Sequence, residues 1–163
     1  ERTELEKQKG ALSALQSELF NRSLAARIDD DLYDQVIAGD VLQRRNGGLF
    51  NTTDVALDTT RVLAHEVDIT GSLPGPRERP EARDSARDRE DAVLAAAGIS
   101  RAAFANGRGE AEGARRPYRV PLVEVTVRTV THDSIELSFP LPPGSYATRV
   151  IAEIAKTDVD VPE

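Results

Sequence analysis

Leu141-Pro142-Pro143-Gly144-Ser145-Tyr146-Ala147-Thr148 joins a strand-like alternation to a helix-like one, and its reading decides the fold. Upstream, Ile135, Leu137, Phe139 and Leu141 recur at every second residue, the period of a half-buried strand. Downstream, Ala147, Val150, Ile151 and Ile154 fall on one face of a short helix. Two prolines stop the strand, Gly144 permits a tight turn with positive φ, and Ser145 is placed to cap the helix. Tyr146 is thereby set in the first helical turn. Such a junction is either an ordinary strand-to-helix connection or a seat for a ligand carrying a phosphate and a flat base, since free backbone N–H groups attract anions and a phenol ring stacks.

Working outward, Val123, Val125 and Val127 alternate with Glu124, Thr126 and Arg128, and Thr131-His132-Asp133-Ser134 turns the chain into the returning strand. The expected product is an α+β fold, an antiparallel sheet with packed helices. Two strands and one helix are too small a unit to be stable alone, so further strands are expected outside this chain. Before the hairpin, Arg115, Arg116 and Arg119 surround Tyr118. This basic cluster suits phosphate and base contacts, because arginine offers a planar fork to phosphate oxygens; it equally suits surface pairing with Glu110 and Glu112. Residues 106–113 carry three glycines and no periodicity, which predicts a boundary between residues 1–113 and 114–163.

In the first part, Leu12, Leu15, Leu19, Leu24 and Ile28 predict an amphipathic helix over residues 3–28, with a break expected at Gly10. Asn46-Gly47-Gly48 between two short strand patterns predicts a β-hairpin; no Lys-Ser or Lys-Thr follows, which excludes a P-loop. Residues 54–65 are too sparse to separate helix from loop, residues 67–70 alternate as a strand, and residues 71–76 read as a turn-rich loop. The mixed-charge run over 77–91 reads as a solvated helix face leading into Ala92-Val93-Leu94, with Gly98 as the stop. Asp29-Asp30-Asp31 reads as a solvated loop without metal-loop spacing.

Composition excludes several classes. The 163 residues contain no cysteine and only two histidines, His65 and His132, which removes disulfides, thiolate zinc sites and a cysteine nucleophile and leaves no multi-histidine metal site. Neither histidine has a Ser or Asp partner at a hydrolase spacing. No run reaches the ~18 apolar residues of a membrane span, so a cytoplasmic protein with no membrane partner is expected. The net charge of -7 argues against nucleic-acid binding by charge alone. Lysine occurs only at Lys7, Lys9 and Lys156, and this acidic, lysine-poor composition resembles that of proteins from salt-loving archaea, in which case net charge says little about the partner. The chain starts at Glu1 and lacks methionine, so a fragment is expected.

Several segments, in order, resemble the C-terminal half of the TruD family of tRNA pseudouridine synthases. Ser17-Glu18-Leu19-Phe20-Asn21 and Leu24-Ala25-Ala26-Arg27 are similar to the family's leading helix, and Ala38-Gly39-Asp40 to its Gly-Asp turn. Thr70-Gly71-Ser72-Leu73-Pro74-Gly75 resembles its Thr-Gly-Pro-Leu-Pro-Gly loop, and Arg115-Arg116-Pro117 the paired arginines that lead into the returning strand. Leu137-Ser138-Phe139 with residues 141–148 resembles the closing signature. The resemblance implies isomerisation of a D-stem uridine of tRNA without metal or cofactor, by an aspartate in a Gly-x-Lys-Asp motif acting on a flipped uridine.

No Lys-Asp pair occurs in this sequence, so the catalytic aspartate, and with it the missing N-terminal half of the catalytic domain, is expected upstream of Glu1 and the chain alone is expected to be inactive. By the same resemblance, residues 1–113 would be mostly the family's inserted domain and 114–163 the returning part of its catalytic domain. Tyr146 would stack on the uridine, Gly144 and Ser145 would position that ring, and Arg115, Arg116 and Arg119 would contact the RNA. The alternative is a non-catalytic RNA-binding or protein-interaction module with the same fold.

Overall fold

A computed structural model describes residues 3–76, 78–105, 112–141, 145 and 147–156. The chain divides into two compact units, Glu1–Arg119 and Val120–Glu163. In the first, α1 (Glu4–Asp29) opens on a capping box in which the Thr3 hydroxyl oxygen accepts from the Glu6 N–H and the Glu6 carboxylate accepts from the Thr3 N–H. It runs unbroken through Gly10, whose position faces open space, so a glycine there costs helix propensity without forcing a kink. Strands β1 (Val41–Arg44) and β2 (Leu49–Asn51) form the expected hairpin, with Gly47 at φ +86° in its turn.

The ambiguous segment that follows is helical. Helix α2 (Val55–Leu63) is started by Asp54, whose side chain accepts from the Leu57 N–H, and it buries Val62 and Asp58. Strand β3 (Val67–Leu73) continues through Gly71 and Ser72, where a loop was expected. It continues because β4 (Ala114–Pro117) pairs with it antiparallel, Gly71 opposite Arg116 and Ser72 opposite Arg115. The four-stranded sheet has the order β2-β1-β3-β4. The paired arginines lie in the first compact unit, which runs to Arg119.

Helices α3 (Asp84–Ala96) and α4 (Ala102–Ala105) complete this unit. Leu42, Val62, Val67, Ile69 and Tyr118 make the main core with Phe20 from α1, while Leu19 of α1 meets Leu94 of α3 and Phe104 of α4 in a second cluster. Tyr118 lies flat enough against Gly71 that a Cβ there would come within 2.5 Å of its ring.

The second unit holds the hairpin β5 (Thr126–Thr131) and β6 (Ser134–Ser138) and the helix α5 (Ala147–Ala155). Val127 pairs with Leu137 and Thr129 with Ile135. Val123 and Val125 precede the strand they were expected to join. Val127, Val130 and Ile135 are exposed, and α5 buries none of its residues. Leu137, Phe139 and Leu141 face Ala147 and Ile151 across a cleft of about 540 Å³. The architecture is α+β with antiparallel sheets, as expected.

Gly39 sits at φ +82° with a hypothetical Cβ 1.9 Å from the Arg83 carbonyl oxygen, so both strain and backbone overlap oppose a side chain. Gly39→Ala is expected to destabilise the folded chain by more than ~2 kcal/mol, and Gly10→Ala to be neutral or stabilising by under ~1 kcal/mol. Denaturant unfolding of the two variants checks both.

Candidate nucleic-acid interface

The basic cluster is sorted by strand geometry, because successive residues of β4 point to opposite faces of the sheet. Arg115 points inward, its side chain only 1% exposed. Its Nη1 donates to Glu78 Oε1 at 2.8 Å and to Glu90 Oε1 at 2.7 Å; Nη2 donates to the Thr70 carbonyl at 2.7 Å and Nε to Thr70 Oγ1 at 3.2 Å. Ser72 Oγ donates to Glu78 Oε2 at 2.7 Å, and Arg101 approaches both glutamates from the other side. Burial works against the Arg115 cation, but the Glu90 and Glu78 carboxylates outweigh it and hold the guanidinium charged. Burial also pushes the Glu90 carboxyl up; Arg115 opposes this and the neighbouring Glu78 adds to it.

Arg115 spends four of its donated hydrogen bonds inside the protein, on Glu78, Glu90 and Thr70, which suits a structural role better than an RNA contact. Arg119 is also engaged, with Nη2 donating to the Val62 carbonyl at 2.7 Å and to Asp68 Oδ1 at 3.1 Å. Arg116 is on the opposite face from Arg115, half-buried, with its guanidinium carbon 5.0 Å from the centre of the Phe20 ring. Tyr118 is buried, its hydroxyl 2.6 Å from Ser23 Oγ, and burial raises its pKa against the lowering effect of that bond. The structure thus brings the three arginines to one strand end, with Arg115 buried and Arg116 and Arg119 partly exposed, Arg119 already paired with Asp68.

A second buried pair was not foreseen from spacing. Arg27 Nη1 and Nη2 meet Asp40 Oδ1 and Oδ2 at 2.8 and 2.9 Å, and Asp40 also accepts from the Ile37 N–H. The bidentate fork ties α1 to the turn before β1. In the same turn the Ala38 carbonyl accepts from the Ala86 N–H of α3, so the backbone of the turn satisfies a free N–H of the helix start. Arg27, Asp40, Tyr118, Thr70 and Glu90 line one cleft of about 380 Å³ between α1 and α3. Its acid, base and phenol are already hydrogen-bonded to protein groups, which suits a scaffold better than general acid–base chemistry. Among the described residues no group of three acids or histidines could hold a metal ion.

Ser145 lies on the wall of the cleft between β6 and α5. Gly144 and Tyr146 lie outside the described residues, as do residues 106–111 of the expected boundary loop.

The family model for tRNA pseudouridine synthase D (TruD) matches residues 10–154, nearly the whole chain. The chain belongs to the TruD family. It is 44% identical over 154 residues to the tRNA pseudouridine synthase D of Anaeromyxobacter sp. strain Fw109-5, covering 94% of this chain and 43% of that protein. The Thermus thermophilus protein of the same name is 42% identical over 148 residues, 90% of this chain and 40% of its own length. The crystal structure of a protein described as TruD from Methanosarcina mazei superposes with a TM-score of 0.67 at 25% identity, covering 88% of this chain and 37% of that one. The chain therefore spans less than half the length of the TruD relatives named here. The TruD-like segments around Arg27, Gly39-Asp40, Thr70-Gly71 and Arg115 prove to be mutual contacts in one scaffold.

Because the folded Glu90 carboxyl titrates above its ordinary value of 4.5, the folded state holds that proton more tightly than the unfolded chain does. The stabilisation from this proton is complete below the unfolded value and lost as pH rises through the folded one. The stability of the native sequence relative to Glu90→Gln, which cannot titrate, should accordingly decline as pH is raised from about 4.5. Denaturant titrations at several pH values measure it, and a flat difference would mean that Arg115 fully offsets the effect of burial on Glu90.

Proposed function

We propose that this chain is the C-terminal portion of a TruD-type tRNA pseudouridine synthase, which isomerises a D-stem uridine to pseudouridine. The family match over residues 10–154 carries the reading. The covalent step falls to an aspartate supplied by the remainder of the protein, because no Lys-Asp pair occurs in this sequence. A tRNA substrate puts the work in the cytoplasm. The relatives from Anaeromyxobacter and Thermus lend no support to an archaeal or salt-adapted source, which is not part of the proposal.

In this reading the first unit is mostly the inserted domain, and the hairpin with α5 is the returning part of the catalytic domain. The exposed apolar side chains Val127, Val130 and Ile135 support that division, since a two-stranded hairpin needs further strands or helices over its face. Tyr146 stacks on the flipped uridine, with Gly144 and Ser145 setting its place, and the cleft lined by Ser145, Phe139 and Ile151 supplies an apolar wall beside it. Arg116 is the member of the basic cluster retained as an RNA backbone contact, because its guanidinium is half open above Phe20.

Incubating the full-length protein with unmodified tRNA and mapping pseudouridine tests the activity directly. The full-length protein is expected to turn over, and this chain alone to give none; turnover by this chain alone would overturn the placement of the nucleophile. In the full-length protein Tyr146→Ala is expected to lower turnover on the order of a hundredfold and Tyr146→Phe less than about fivefold, whereas equal and negligible effects would refute the stacking role.

A further inference from the structure

The tip of the β1–β2 hairpin stands apart from the charge pattern of the rest of the chain. Between Asp40 and Asp54 the sequence has no acidic residue, and its only charges are Arg44 and Arg45. Several other exposed or half-exposed arginines are paired: Arg22 with Glu18, Arg87 with Glu81 and Asp91, Arg89 with Asp30. Among the described residues no carboxylate lies within 4.0 Å of Arg44 or Arg45, and both are exposed.

Both side chains are nevertheless held in place. The Arg44 guanidinium carbon lies 4.2 Å from the centre of the Phe50 ring, in position for a cation–π contact. Arg61, from α2, approaches the same ring at 5.5 Å but is neutralised by Asp58. Arg45 donates through Nη2 to the carbonyl of His65, a residue in the left-handed region at φ 58°. The turn that carries them is closed by Arg44 N–H to Gly48 O and Gly47 N–H to Arg44 O, both at 2.8 Å. Two guanidinium groups at consecutive positions of one hairpin tip, each held by a protein contact and neither met by a carboxylate among the described residues, suit the phosphates of a polynucleotide on an otherwise acidic protein.

We propose that the Arg44–Arg45 hairpin tip is a second RNA-binding site, which grips the phosphate backbone of the tRNA through Arg44 and Arg45, in the unit that does not contain Tyr146. This rests on the reading of the protein as a tRNA-acting enzyme. The tip reads no sequence; phosphate contacts fix register and orientation while base identity is read elsewhere. Each contact releases counterions, so the pair contributes measurably to the salt dependence of binding.

The test compares the full-length protein with its Arg44→Gln/Arg45→Gln and Arg44→Lys/Arg45→Lys forms, binding an unmodified tRNA transcript by fluorescence anisotropy across a salt series. The Gln pair is expected to weaken binding on the order of tenfold at low salt and to reduce the slope of log K against log salt by roughly 1 to 2. The Lys pair, which keeps the charge but not the fork, should restore most of that slope, and matched thermal unfolding of the variants separates charge from folding. A native protein that binds tRNA with an unchanged slope in the Gln pair would overturn the tip site alone and leave it to a protein partner or to solvent. A Gln-pair loss that Lys does not restore would also overturn it. A native protein that does not bind tRNA would overturn both this site and the function on which it rests.

Discussion

A buried guanidinium holds the first unit together. Arg115 draws the Thr70 carbonyl of β3, Glu78 of the connecting loop and Glu90 of α3 onto one planar group, across sequence separations of 45, 37 and 25 residues. Removing charges from water is costly, and leaving any one of them buried without a partner costs about 3–5 kcal/mol. Strand β4, α3 and β3 are thereby tied to one buried charge. The Arg27–Asp40 fork performs the same task between α1 and the turn before β1, whose Ala38 carbonyl meets the start of α3. These two pairs, with the apolar clusters around Tyr118 and Leu94, join segments that sequence separates.

This arrangement explains what was legible in the sequence. Helix α1, the Asn46-Gly47-Gly48 hairpin, α3 and the β5–β6 hairpin could be read because their signals are local: a helical period, a turn glycine, an alternation. Strand β4 could not, since Ala114-Arg115-Arg116-Pro117 has no apolar alternation and its burial depends on glutamates that lie within a run resembling a solvated helix face. The extension of β3 through Gly71 was hidden for a related reason. Gly71 is required by the Tyr118 ring that covers it, and nothing in its neighbourhood announces that distant partner.

The same distinction separates the motif residues by task. Arg27, Gly39, Asp40, Thr70, Gly71 and Arg115 were noticed as pieces of a family pattern, and their geometry makes them supports: ion-paired, hydrogen-bonded or pressed against backbone. Arginine in a tRNA-modifying family invites assignment to the RNA, but strand alternation turns Arg115 and Arg116 to opposite faces, so two neighbouring arginines receive different roles. The arginines best suited to phosphate stand on the β1–β2 tip, which no resemblance singled out. Stacking on Phe50 orders Arg44 in advance and lowers the entropic cost of using it.

Amide hydrogen exchange at the β3–β4 pairing tests most directly whether Arg115 is the support on which this unit depends. The Tyr118 N–H donates to the Ile69 carbonyl at 2.9 Å, directly beside the buried cation. Replacing Arg115 by Met, close in length and uncharged, is predicted to strip protection from Tyr118 and the β4 amides while those of the β1–β2 hairpin keep theirs. Unchanged protection of Tyr118 in Arg115→Met would contradict the account, and would return Arg115 to the list of arginines available for RNA.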